Sequence, residues 1–110
     1  MAKRENIIEE NLKKYLEEIN QICPIDLVIL YGSYAKGIPS KESDIDLAVF
    51  SKKITECNRL KFMTQFLSRV WKYKLDFQPL AFSMADYKSD ENDFIREEIK
   101  KKGKIIFRPS

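Results

Sequence analysis

The sequence predicts an α/β or α+β fold, a sheet of about four strands with helices mainly on one face. Three observations carry that expectation. Residues 5 to 20 place Ile8, Leu12, Tyr15, Leu16 and Ile19 at three- and four-residue spacing, the mark of an amphipathic helix. "IDLVILY" is a nearly continuous apolar, β-branched run of the kind found in a central strand covered on both faces. "SDIDLAVF" alternates instead, so that Ile45, Leu47 and Val49 point one way while Asp44, Asp46, Ala48 and Phe50 point the other.

The elements follow in order. Pro24 ends the first helix, and Gly32 punctuates the strand after it. A second, wider amphipathic helix is expected from about Thr55 to Trp71, with Leu60, Met63, Leu67, Val70 and Trp71 along one side, joined by Phe62 and Phe66. "KLDFQPLAF" reads as a strand in which Pro79, lacking an N–H, implies an edge or a bulge. Asn92 or Asp93 can cap a third helix carrying Phe94, Ile95 and Ile99, and Gly103 can terminate it before the closing strand "KIIF". The expected order is α-β-(short turn or helix)-β-α-β-α-β.

A chain of 110 residues suits one domain with a modest core, so residues 1–110 are read as a single unit. Apolar residues are 44% and charged ones 34%, and no apolar run approaches the ~18 residues of a membrane span. "MAKRENIIEENLKKY" lacks the continuous apolar stretch of a signal peptide, so the expected location is cytoplasmic. The net charge of +3 sits mostly in "REEIKKKGK", a solvated helix face ending in cations that suit the helix dipole. Cys23 and Cys57 are far apart and read as reduced and structural. The absence of histidine removes Ser-His-Asp and Cys-His catalysis and His-ligated zinc together.

Chemistry concentrates in "YGSYAKGIPSKESDIDLAVF". Gly32 and Gly37 have the spacing of a P-loop, but Ile38 and Pro39 stand where that motif needs lysine and a hydroxyl. An EF-hand fails because Ala48 and Val49 occupy a liganding place and the required glycine. What remains is a strand, a Gly-Ser turn, and a second strand with Asp44 and Asp46 on one face. Residues two apart on a strand are separated by roughly 7 Å, so both carboxylates can reach one metal. Oxygen-only ligands with open positions suit Mg²⁺ or Mn²⁺, completed by the phosphates of a substrate. Asp76, between Leu75 and Phe77 at the start of a later strand, supplies a third carboxylate. Three converging aspartates would repel one another unless divalent cations neutralised them. Gly32 lets backbone approach a phosphate, Ser33 can donate to triphosphate oxygens, and Lys36 can add a positive charge.

The segment from Gly32 to Phe50 resembles the signature of the DNA polymerase β-like nucleotidyltransferase superfamily, and within it the minimal nucleotidyltransferases, or MNT proteins, of HEPN/MNT toxin–antitoxin systems. Gly32, Ser33, Ala35, Gly37, Ser43, Asp44, Asp46 and Leu47 match that pattern. The resemblance implies a palm-like mixed sheet and transfer of a nucleoside monophosphate, AMP from ATP, with two Mg²⁺ ions and release of pyrophosphate. It implies Asp44 and Asp46 as metal ligands, Gly32 and Ser33 at the triphosphate, and Asp76 assisting the attacking hydroxyl. It also implies a HEPN-domain toxin as partner, neutralised by AMP on a tyrosine. The group often carries arginines where this chain has Tyr34 and Lys36; lysine keeps the charge without the bidentate fork, and tyrosine keeps neither.

Two rival readings stand beside the antitoxin enzyme: a small-molecule nucleotidyltransferase completed by a partner subunit, and an inactive module that covers its partner sterically. The modest charge and the short extension past the last expected strand disfavour a nucleic-acid substrate and place the acceptor site on a partner or a second copy. Homo-oligomerisation stays open, because Phe62, Phe66 and Trp71 imply exposed apolar surface on so small a chain.

Overall fold

The computed structural model describes residues 3–32, 45–73 and 76–108, with side chains described from residue 9 onward. Helix α1, Lys3–Ile22, buries the stripe Tyr15, Leu16 and Ile19, as its spacing predicts. Strand β1, Leu27–Tyr31, is buried throughout its length. It pairs antiparallel with β2, Ile45–Ser51, in a register that sets Leu27 opposite Phe50 and Tyr31 opposite Asp46. Helix α2, Arg59–Leu67, supplies the crossover that a parallel pair requires. Strand β3, Phe77–Ser83, then lies parallel to β2 with Ile45 opposite Phe77. A single helical turn α3, Met84–Lys88, a π-helical segment Ile95–Lys100 and strand β4, Lys104–Phe107, complete the described chain. The sheet order is β3-β2-β1-β4, with β4 antiparallel to β1, which makes the mixed four-stranded sheet expected.

The alternation read in β2 divides the core into two. Ile45, Leu47 and Val49 join Tyr15, Ile19, Phe66 and Phe77 beneath the long helices α1 and α2. Ala48 and Phe50 join Leu27, Ile29, Tyr31 and Phe82 beneath the π-helical segment, whose Ile95 and Ile99 are fully buried. Pro79 occupies the edge strand β3, opposite Leu47, without interrupting the register. Arg59 ties α2 to that edge: its Nε donates to the Ala81 carbonyl at 2.5 Å and its guanidinium lies over the Phe82 ring.

Three expectations need correction. The second helix starts at Arg59, not Thr55, because Asn58 folds residues before it into a turn, its Oδ1 accepting from the Thr55 N–H and its Nδ2 donating to the Lys53 carbonyl. It also ends at Leu67, continued only by a 3₁₀ turn, Val70–Lys72. Leu60, Leu67 and Trp71 do not share the core side with Phe66; they face outward. The third element, α3, was not anticipated, since one turn is too short to show periodicity; it forms because the Ser83 hydroxyl accepts from the Asp86 N–H as an N-cap. Asn92 does cap the later segment, accepting from the Ile95 N–H at 3.1 Å, and the Gly103 N–H closes it on the Ile99 carbonyl at 2.8 Å. Gly103 must be glycine: a Cβ there would collide with the Ile99 carbonyl and with Ile29 of β1. Cys23 is buried beside the Ser51 hydroxyl and Cys57 is exposed, both as free thiols. Among the described residues no helix is long and apolar enough to cross a membrane.

Candidate active site

The candidate site lies at one end of the sheet, where β1 finishes and β2 and β3 begin. Three neighbouring strands therefore deliver residues to it from three parts of the sequence. β1 delivers Tyr31 and Gly32. Gly32 has φ +80°, the one positive φ among the described residues, which L side chains rarely adopt. A Cβ at this glycine would also overlap the Asp46 carboxylate. Conformation and space thus impose glycine independently, and the bare backbone of the turn lies directly against a carboxylate.

Asp46 is half-buried and central to this constellation. It stands opposite Tyr31 on β1 and Gln78 on β3, so the three side chains share the sheet face that also carries Ala48 and Phe50. Asp76 immediately precedes β3, and its carbonyl accepts the Ile45 N–H at 2.8 Å, extending the ladder by one bond. By strand alternation Asp76 falls on the side of Gln78 and hence of Asp46, and it is exposed to solvent. Of the residues singled out in the sequence, the structure brings Gly32, Asp46 and Asp76 to one end of the sheet. Ser33, Lys36 and Asp44 lie outside the described residues.

The electrostatics of this corner are negative. Burial, and then the nearby Asp46 charge, push the Tyr31 phenol up to about 12, so it stays neutral at physiological pH. The Tyr31 ring meets Phe94 edge-on, with centroids 5.7 Å apart, which anchors the start of the C-terminal helical region to the same corner. Among the described residues no three Asp, Glu, Cys or His side chains converge to hold a metal ion. The donors present, Asp46 and Asp76, are nevertheless hard carboxylate oxygens at the starts of adjacent parallel strands, a set that fits a divalent cation such as Mg²⁺ rather than a soft metal.

Two neighbours escaped the sequence reading. In sequence Tyr31 is only the end of a buried strand, and Gln78 belongs to no motif. The parity of "DFQ" could have marked Gln78, since it lies two residues beyond Asp76; the partnership of Tyr31 with Asp46 needed the antiparallel register.

A mixed sheet that sets the Asp46 carboxylate against a glycine turn, with Asp76 just before the adjacent strand, is suited to phosphoryl and nucleotidyl transfer. Residues 10–110 match the family model described as Polymerase beta, Nucleotidyltransferase, and the chain belongs to that family of enzymes. Two proteins of Methanocaldococcus jannaschii that carry the assigned name protein adenylyltransferase are similar to it. MJ0141 is 30% identical over 92 residues, covering 82% of this chain and 90% of its own. MJ1305 is 29% identical over 87 residues, covering 74% of this chain and 59% of its own. Two solved structures share the fold. A crystal structure of a mutant MntA–HpeT toxin–antitoxin has TM-score 0.56 at 20% identity, covering 93% of this chain and 73% of that one. A toxin–antitoxin crystal structure with AMP-PNP has TM-score 0.57 at 16% identity, covering 88% and 73%.

Proposed function

We propose that this chain is a Mg²⁺-dependent protein adenylyltransferase that transfers AMP from ATP to a hydroxyl of a partner protein, and that it serves as the antitoxin to a HEPN-domain toxin. The observation that carries this reading is the Gly32 turn lying against the Asp46 carboxylate, with Asp76 at the start of the adjacent strand. Relatives that carry the name protein adenylyltransferase support AMP as the group moved. Neighbours of shared fold that are toxin–antitoxin structures, one with AMP-PNP, support the partner and the nucleotide.

In this reading residues 1–110 act as one domain. Asp44, Asp46 and Asp76 hold the divalent ions, which when bound neutralise the triphosphate and make the attacking hydroxyl easier to deprotonate. Gly32, Ser33 and Lys36 receive the triphosphate, the glycine by allowing close backbone approach. Asp76, being exposed, is open to the incoming protein hydroxyl and orients it. The acceptor oxygen forms a bond to the α-phosphorus, the bond from that phosphorus to the bridging oxygen of pyrophosphate breaks, and the hydroxyl proton passes through Asp76 to solvent. Neutral Tyr31 adds no further negative charge beside the phosphates.

The test is transfer of label from α-labelled ATP with Mg²⁺ to a HEPN-domain protein encoded beside this chain, comparing the native chain with Asp44→Ala/Asp46→Ala. Label that depends on both aspartates supports the proposal. Equal labelling by the double variant refutes the carboxylate site. Tight association without any labelling makes the chain a steric inhibitor instead.

A further inference from the structure

The outer surface of α2 carries a second feature, unconnected to the carboxylates. Leu60, Leu67 and Trp71 are 72%, 53% and 79% exposed. Their spacing of seven and four residues is helical, and the right-handed helical backbone of Ser68 and Arg69 carries the stripe across from α2 to the 3₁₀ turn. Phe66 and Val70, one residue earlier in each case, point to the core, so this stripe is the outward face of the same helix. Three large apolar side chains in a row on a small domain mark a surface built to be covered.

Charge identifies what covers it. Residues 57 to 75 contain Arg59, Lys61, Arg69, Lys72 and Lys74 and not one aspartate or glutamate, although the whole chain has 20 basic and 17 acidic residues. Glu18 of α1 pairs with both Arg69 and Lys72, at 3.8 and 2.7 Å, one carboxylate against two half-exposed cations. With exposed Lys61 the stripe keeps a positive rim. A second copy docked face to face would set like charges against each other, and among the described side chains of α1 the apolar stripe Tyr15, Leu16 and Ile19 is already buried against the sheet.

We infer that the Leu60–Leu67–Trp71 stripe docks an acidic amphipathic helix of another protein, its leucine-type face on the stripe and its carboxylates over Lys61, Arg69 and Lys72. α2 packs on the sheet face opposite the one that carries Asp46, so this partner meets the other face of the sheet from the carboxylate.

Trp71 is the sole tryptophan, so its emission reports docking directly. The probe is a synthetic helical peptide with leucines on one stripe and glutamates on both flanks; its control has the same leucines flanked by lysines. The glutamate peptide is expected to shift Trp71 emission to the blue and protect it from acrylamide, more weakly at high salt, while the lysine peptide does neither. Leu60→Ser and Lys61→Glu are each expected to weaken the glutamate peptide by about tenfold or more, with the melting temperature unchanged because both side chains are exposed. Equal binding of both peptides, binding of neither, or a large loss of stability in Leu60→Ser would overturn the inference. So would concentration-dependent self-association that buries Trp71 without peptide. None of these readouts needs nucleotide or metal, so they stand or fall apart from the adenylyltransferase proposal.

Discussion

A methyl group added at Gly32 would occupy the volume the Asp46 carboxylate fills, on a backbone with φ +80°. Gly32→Ala should therefore cost roughly 1–2 kcal/mol for the left-handed conformation alone. It should also displace Asp46, so transfer should fall further than the loss of folded protein explains; thermal melting and label transfer measured on the same sample check both. Asp46→Asn keeps the shape and removes the charge. If Asp46 holds a divalent ion, several kcal/mol of transition-state stabilisation disappear, a drop on the order of a thousandfold in transfer, with melting little changed. The same substitution removes the negative field on Tyr31, so the Tyr31 phenol should titrate below its present value of about 12 in an alkaline absorbance titration. At this scale the sequence exposed the carboxylates by their alternation but not their neighbours. Tyr31 is an ordinary strand residue until the β1–β2 register sets it opposite Asp46.

At the scale of elements, caps decide boundaries that periodicity leaves loose. Ser83 and Asn92 each accept a backbone N–H three residues on, at the starts of α3 and of the C-terminal helical region. Asn92→Ala should cost about 1 kcal/mol. For a domain of this size that corresponds to a fall of roughly 4–8 °C in melting temperature, and scanning calorimetry would show it. Long periodic segments such as α1 were legible because a buried stripe of Tyr15, Leu16 and Ile19 repeats over several turns. The extent of α2 was not, because its apolar residues serve two purposes: Phe66 enters the core, while Leu60, Leu67 and Trp71 face out. Hydrophobicity alone cannot distinguish a side chain buried by folding from one awaiting a partner.

Over the whole molecule, buried and paired tyrosines couple stability to pH. The Tyr31 and Tyr73 phenols are both pushed up to about 12 from an ordinary value of 10.0, each chiefly by burial, with Asp46 adding to the first and Glu18 to the second. The folded state thus holds these protons more tightly than the unfolded chain. Their contribution is complete below pH 10 and is lost as pH rises to about 12. Denaturant unfolding across that window should show stability falling, and Tyr31→Phe should flatten the fall. Glu18 acts at the other end: its hydrogen bond from Lys72 holds its carboxyl below the usual range. The stability it adds is present at neutral pH and lost as the solution becomes acid enough to protonate it in the folded state.

The sequence by itself determined the order of the strands and longer helices, the irregular place that Pro79 demands in its strand, the two faces of β2 and the class of chemistry. Each of these rests on local pattern: period, a missing N–H, or residue type at fixed spacing. Only tertiary structure decided that Asp76 and Asp46, thirty positions apart, begin adjacent parallel strands. It alone also decided that Gly32 is required by the Asp46 carboxylate as much as by its own φ, and that one side of α2 stays uncovered. Strand pairing and side-chain packing are set by contacts between distant segments, and no spacing within a single segment encodes them.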